Sequence, residues 1–176
     1  TSCVLGKRAT LEGFVLPADS KVVFRNNRVL SCKLVEVTLI RGVQLPADAT
    51  VFFRTPKNLE SEVSGCWDCW LPKPVLIQGI LCSPREDGCG HIFYPSGRIR
   101  SVKLEGDQEI DGVPCTSSSN LFRMGTKALF YGLDTCAWFY ENGHLAQGWL
   151  ARDCTIKGRD FKAGAIVRLA PDGTLD

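Results

Sequence analysis

Leu11-Glu12-Gly13-Phe14-Val15-Leu16-Pro17-Ala18-Asp19 and Ile40-Arg41-Gly42-Val43-Gln44-Leu45-Pro46-Ala47-Asp48 share one pattern, offset by 29 residues at every position. Each opens with a large aliphatic residue, any residue, then glycine. The triplet returns at Ile77-Gly79, Ile110-Gly112 and Ile156-Gly158. A unit copied this often marks a repeat architecture, in which each copy buries its apolar face against its neighbours.

Working outward, a large apolar anchor follows eleven residues after the glycine at Phe24, Phe53 and Leu169. The third and fourth copies are longer, with anchors at Phe93 and Phe139. Two residues before the anchors lie Val22, Val51, His91, Ala137 and Val167, the period-2 alternation of a half-buried strand. Six residues after them come Leu30, Leu59, Ile99, Leu145 and Leu175. The intervening Asn26-Asn27, Pro56-Lys57-Asn58, Ser96-Gly97, Asn142-Gly143 and Asp172-Gly173 suit tight hairpins. Each unit reads as a strand, a Pro or Gly corner, a second strand, a hairpin and a third strand.

The expected fold is all-β, with repeated antiparallel hairpin units stacked into an elongated sheet or solenoid over one domain, residues 1–176. A closed β-barrel or sandwich is the alternative. Unequal spacing between copies disfavours a strict solenoid. No segment keeps apolar residues at i, i+3, i+4 and i+7 for three turns. The least regular stretch is 116–132, read as a long loop or a short helical turn.

A chain of 176 residues, 44% hydrophobic and 23% charged, has the composition of a globular domain. A net charge of +2 argues against a nucleic-acid partner. No apolar run reaches the length of a transmembrane helix.

Cysteine is over-used: Cys3, Cys32, Cys66, Cys69, Cys82, Cys89, Cys115, Cys136 and Cys154, against two histidines. This balance favours disulfides and an extracytoplasmic, periplasmic or cell-surface location. Buried free thiols acting as small hydrophobes are the alternative. Nine is odd, which leaves Cys3 over and the other eight as disulfide candidates. Thr1-Ser2-Cys3 resembles the end of a bacterial lipoprotein signal, which implies a lipid anchor on Cys3.

Cys66-Trp67-Asp68-Cys69 is the sharpest local motif. With Cys82 and Cys89 it has the ligand chemistry of a zinc site, and alone that of a redox pair. Its place in an insertion between Phe53 and Ile77 favours a structural bridge. Cys82 and Cys115 fall three residues after their glycines, an inward position, and are read as bridging successive units. His91 shares the register of Val22 and is expected inside, His144 outside. The carboxylates Glu105, Asp107, Glu109 and Asp111 alternate along one strand face, which is expected to be solvated. No nucleophile elbow, phosphate loop or metalloprotease motif is present, so no catalytic residue, cofactor or metal is assigned. A hydrolase built on His91 would need a deep pocket around that ring.

Phe93-Tyr94-Pro95-Ser96-Gly97-Arg98-Ile99 and Phe139-Tyr140-Glu141-Asn142-Gly143-His144-Leu145 resemble MORN-type hairpin repeats. That resemblance implies a scaffold or binding surface, of the kind found in bacterial antitoxin-like and envelope proteins. The unit here is longer. The residues after the anchors, Arg25, Arg54, Tyr94 and Tyr140, form a candidate binding face, being types enriched at interfaces. The functional expectation is a non-catalytic β-repeat protein that binds a protein or glycan partner. The alternative is a cysteine-based zinc or redox protein centred on Cys66 and Cys69.

Overall fold

A computed structural model describes residues 1–26, 28–53, 65–84, 90–117 and 136–176. Among them there is no helix, and twenty short strands are numbered in chain order. Ten build one open antiparallel sheet. Their spatial order is β1 (Ser2–Val4), β4 (Lys21–Arg25), β5 (Arg28–Lys33), β8 (Thr50–Phe52), β9 (Trp67–Trp70), β12 (His91–Phe93), β13 (Ile99–Val102), β16 (Ala137–Phe139), β17 (Leu145–Trp149) and β20 (Ile166–Arg168). The sheet grows in sequence order and does not close, so the elongated-sheet expectation holds and the barrel is excluded.

The other ten pair into five small hairpins: β2 (Ala9–Leu11) with β3 (Phe14–Leu16), β6 (Thr38–Ile40) with β7 (Val43–Leu45), and β10 (Val75–Ile77) with β11 (Ile80–Cys82). β14 (Gln108–Ile110) with β15 (Val113–Cys115) and β18 (Cys154–Ile156) with β19 (Arg159–Phe161) complete the row. Each bends at one of the five triplets. The middle residue has φ of 45–51° and the glycine 76–84°. Two successive positive φ values define the tight type I′ turn, whose twist matches the flanking strands. The triplets thus share one backbone setting. They close a hairpin, where the sequence pattern suggested only the approach to a strand, because the first strand of each hairpin is three residues long.

The hairpin row packs on one face of the large sheet, and the core lies between the layers. Both layers contribute at fixed repeat positions. Leu34, Leu71, Leu104 and Leu150 each stand six residues before a triplet, at most 4% exposed. Ile40, Ile77, Ile110 and Ile156 open their triplets and are also buried. Opposite them the inner sheet face runs Cys3, Val22, Cys32, Val51, Cys69 and His91 strand by strand. It continues at Val102 and Ala137, then Gly148 and Val167.

The aromatic hairpins of the sheet also repeat. Tyr94 N donates to Arg98 O at 2.8 Å and Gly97 N to Tyr94 O at 2.9 Å; Tyr140 and Gly143 repeat both bonds at 2.9 Å. A register shift follows at Phe93 and at Phe139. The first hairpin is one residue tighter. Phe24 pairs with Val29 instead of Leu30, so Val29 takes the buried place of Ile99 and Leu145.

Candidate binding face

The cysteines follow the repeat. Cys3, Cys32 and Cys69 occupy one inner-face position, two residues before Leu5, Leu34 and Leu71; Val102 and Gly148 fill it in the later copies. Cys82 and Cys115 occupy the hairpin position that is Leu16, Leu45 and Phe161 elsewhere. Cys3, Cys32, Cys66, Cys69, Cys82, Cys115 and Cys154 are free thiols; Cys89 lies outside the described residues. The expected bridge between Cys82 and Cys115 is not formed. Their strands are not neighbours: β14 lies between, with Gln108 paired to Cys115 on one side and packed on β11 on the other.

Burial pushes the Cys82 and Cys115 thiols up to about 12. It raises Cys32 to about 11 against the opposing hydrogen bond of Ser20, and raises Cys69 well above its ordinary value. These groups stay protonated at neutral pH, the opposite of an activated nucleophile.

The Cys66/Cys69 motif does not assemble. Trp67 and Cys69 face the core, and Trp67 stacks on Phe93 with centroids 4.3 Å apart. Strand alternation sends Cys66 and Asp68 to the other face. There the Cys66 thiol lies 3.7 Å from Arg100 Nη1. Two thiols on opposite faces of one strand cannot share a metal or a bridge. Among the described residues no cluster of three His, Cys, Asp or Glu could hold an ion.

His91 is fully buried, with Nε2 2.8 Å from Ser83 O. Its ring is enclosed on the inner face of the sheet, as the register shared with Val22 implies. The carboxylates do not converge either. Asp107 accepts from Thr116 Oγ1, Glu109 faces Arg152, and Asp111 accepts from Leu145 N at 2.7 Å with His144 Nδ1 at 3.4 Å.

The predicted face divides. Arg25 is exposed at the end of β4, and Arg54 lies outside the described residues. Tyr94 and Tyr140 are half-buried. Tyr94 Oη donates to Phe139 O at 2.9 Å and Tyr140 Oη to Leu169 O at 2.8 Å. Each tyrosine reaches the anchor of the next unit, so the pair fastens copy to copy. Arg100 lies 5.8 Å from both the Tyr94 and the Trp138 ring centroids and fills the groove between them.

A different surface stands out. On the solvent side of the hairpin row, Val15 is 51% exposed, Leu39 66% and Leu76 67%. Val35 and Val37, which lead into β6, add to it. β3 packs beside β6, which sets Val15 and Leu39 on adjoining strands. In the last two hairpins the equivalent pairs are Glu109 with the buried Pro114 and Thr155 with Asp160. The strip is therefore confined to the first three units. Its signal was in the sequence: apolar residues alternate with the buried ones at Leu39 and Leu76, on the wrong side of a half-buried strand. An open groove of about 670 Å³ is lined by Glu12, Arg25, Arg28 and Phe53.

Compared with known proteins, the chain matches no family model, no curated protein and no solved structure.

Proposed function

We propose that this chain is a non-catalytic β-repeat protein that presents a binding surface to a protein partner. The observation that carries this reading is the apolar strip Val15, Leu39 and Leu76. Among the described residues most other leucines and valines are buried or half-buried, and an exposed apolar patch marks an interaction site. The buried, protonated thiols and the enclosed His91 support a non-catalytic role. A glycan partner is the variant of this reading in which the half-buried aromatics Tyr94 and Trp138 do the work.

Kinship with MORN-type repeats belongs to the same proposal. It is supported by the two Phe-Tyr hairpins, which repeat each other bond for bond. An extracytoplasmic location with a lipid on Cys3 belongs to the same proposal, supported by the cysteine count and the Thr1-Ser2-Cys3 sequence. The register of the cysteines favours a second reading, a protein that keeps core thiols reduced in a reducing compartment. Labelling with an acyl-chain probe in the native host decides the anchor.

The test of function compares the wild type with a Leu39→Glu/Leu76→Glu variant in protein capture and on a glycan array. The wild type should retain a specific protein that the variant loses, while both unfold alike, because the altered side chains face solvent. Identical capture by both, or glycan binding alone, contradicts the assignment to this strip.

A further inference from the structure

We propose that Cys115 and Cys154 form a redox clasp, in which a peroxide joins the two sulfurs and locks the last hairpin, β18–β19, to its neighbour, β14–β15. Both are free thiols in this structure. Successive hairpins meet in a regular way. A hairpin begins four residues after each of Leu34, Leu71, Leu104 and Leu150, at Thr38, Val75, Gln108 and Cys154. The hairpin before it ends at Leu16, Leu45, Cys82 and Cys115. Of these four junctions the last alone sets a thiol on both sides.

The last two junctions are built alike. Leu104 bridges Cys82 as Leu150 bridges Cys115. Glu105 N donates to Leu81 O at 2.9 Å, and Ala151 N donates to Pro114 O at 2.7 Å. At the first of the two, the Gln108 side chain clamps the strand that ends at Cys82, through Leu81 N and Leu81 O. Cys154 holds the place of Gln108 at the second. The counterpart of Leu81 there is Pro114, which has no amide to offer, so the two-bond clamp is lost at this junction. A pair of thiols stands in its place.

The side chains agree with this register. Cys115 belongs to the buried core, and Cys154 packs against that core from the half-buried start of β18. A charge on Cys154 adds to the burial that raises the Cys115 thiol, so the sulfurs lie within electrostatic reach. Adjoining strands about 4.8 Å apart hold facing Cα atoms at a separation that a disulfide spans.

Access divides the roles. A hollow of about 310 Å³ lined by Asp153, Cys154, Asp160 and Lys162 opens on Cys154, while Cys115 is fully buried. Hydrogen peroxide therefore meets Cys154 first. The sulfur attacks one oxygen and breaks the O–O bond, giving a sulfenic acid and one water. The Cys115 sulfur then attacks the sulfenic sulfur, and its proton leaves with the hydroxyl as a second water. Two thiols are oxidised to one disulfide and one peroxide is reduced to two waters.

Peptide mapping of the reduced, folded chain after hydrogen peroxide and alkylation tests this. The wild type should yield a Cys115–Cys154 cross-linked peptide that dithiothreitol dissolves. Its thermal midpoint should rise by about 5 °C on oxidation, and hydrogen exchange should slow in Cys154–Phe161. Cys115→Ala should leave a sulfenic acid on Cys154 that dimedone traps, and Cys154→Ser should leave Cys115 reduced at the same dose. The wild-type map stands without the variants. Recovery of both cysteines alkylated after peroxide overturns the proposal, as does a bridge from either to another cysteine of the chain.

Discussion

The two layers of this molecule carry the same repeat and are held together differently. In the large sheet every interior strand shares backbone hydrogen bonds with neighbours on both sides, across all five copies. In the hairpin row each hairpin is a separate two-stranded sheet, tied to the next unit by only a few backbone bonds, such as Glu105 N to Leu81 O and Ala151 N to Pro114 O. Side chains bridge the gaps. Gln108 receives the Leu81 amide at 2.8 Å and donates to Leu81 O at 2.7 Å, standing in for one residue of a missing strand. Gln78 and Asp111, the middle residues of two triplets, receive the Ile99 and Leu145 amides in equivalent fashion. The tip of the second hairpin lies so close to the third aromatic turn that a Cβ on Gly97 would fall 1.9 Å from Arg41 O. The sheet is thus continuous and the hairpin row a set of separately docked pieces. Disturbing the core between them should act on the whole chain, and disturbing a dock should act locally.

The largest expected effect tests the shared core. Leu71→Ala removes a fully buried side chain at the centre of the array and should cost about 3 kcal/mol, read from denaturant unfolding as a shift of one cooperative transition. If only part of the transition moves, the layers unfold separately and the comparison fails.

Gly148→Val comes next. The position belongs to the cysteine–valine series, yet Cys115 has moved over it, and a Cβ there would sit 2.7 Å from the sulfur. The substitution should cost about 2 kcal/mol through overpacking. Combining it with Cys115→Ala should recover most of that loss, since the two side chains compete for one space.

Alkaline pH probes the same thiols. Their folded pKa values of about 11 to 12 lie above those of an unfolded thiol, so the unfolded state releases protons first. Stability is intact below the unfolded thiol range and falls as pH rises from about 9 towards 12, by about 1.4 kcal/mol per thiol per pH unit. Flat stability between pH 9 and 11 would place these sulfurs in a more solvated setting.

The smallest effects concern the docks. Gln108→Ala and Tyr94→Phe should each cost about 1 kcal/mol. Hydrogen exchange should quicken in Ile80–Cys82 and Gln108–Ile110 for the first, and around Phe139 for the second. The amides of Val22 and Val51 should keep their protection.

Much of this was legible in the sequence. Val22, Val51, His91, Ala137 and Val167 do face inward, and Phe93 and Phe139 are buried anchors, because period-2 alternation is imposed by the pleat itself. The tight first hairpin was not legible. Six-residue spacing fits Leu30 as well as Ile99, and only the pairing of Phe24 with Val29 shifts the buried place. The leucine series Leu5, Leu34, Leu71, Leu104 and Leu150 is also visible in the sequence, and it aligns the cysteines. Counted one by one, nine cysteines suggest a bridging framework. Placed in the repeat, five of them take positions that leucine, valine, phenylalanine or glycine hold in other copies. Sequence spacing also could not separate the tyrosines that fasten neighbouring units from those free to bind, since that depends on which carbonyl each hydroxyl reaches.

Mass-spectrometric alkylation of the unreduced protein, folded and then denatured, addresses most directly whether repeat register accounts for the sulfur. Cys3 should label at once in the folded state. Cys32, Cys69, Cys82 and Cys115 should label only on unfolding, without reductant. If those four stay unlabelled after unfolding until a reductant is added, they are bridged, and the account of them as copied core positions is wrong.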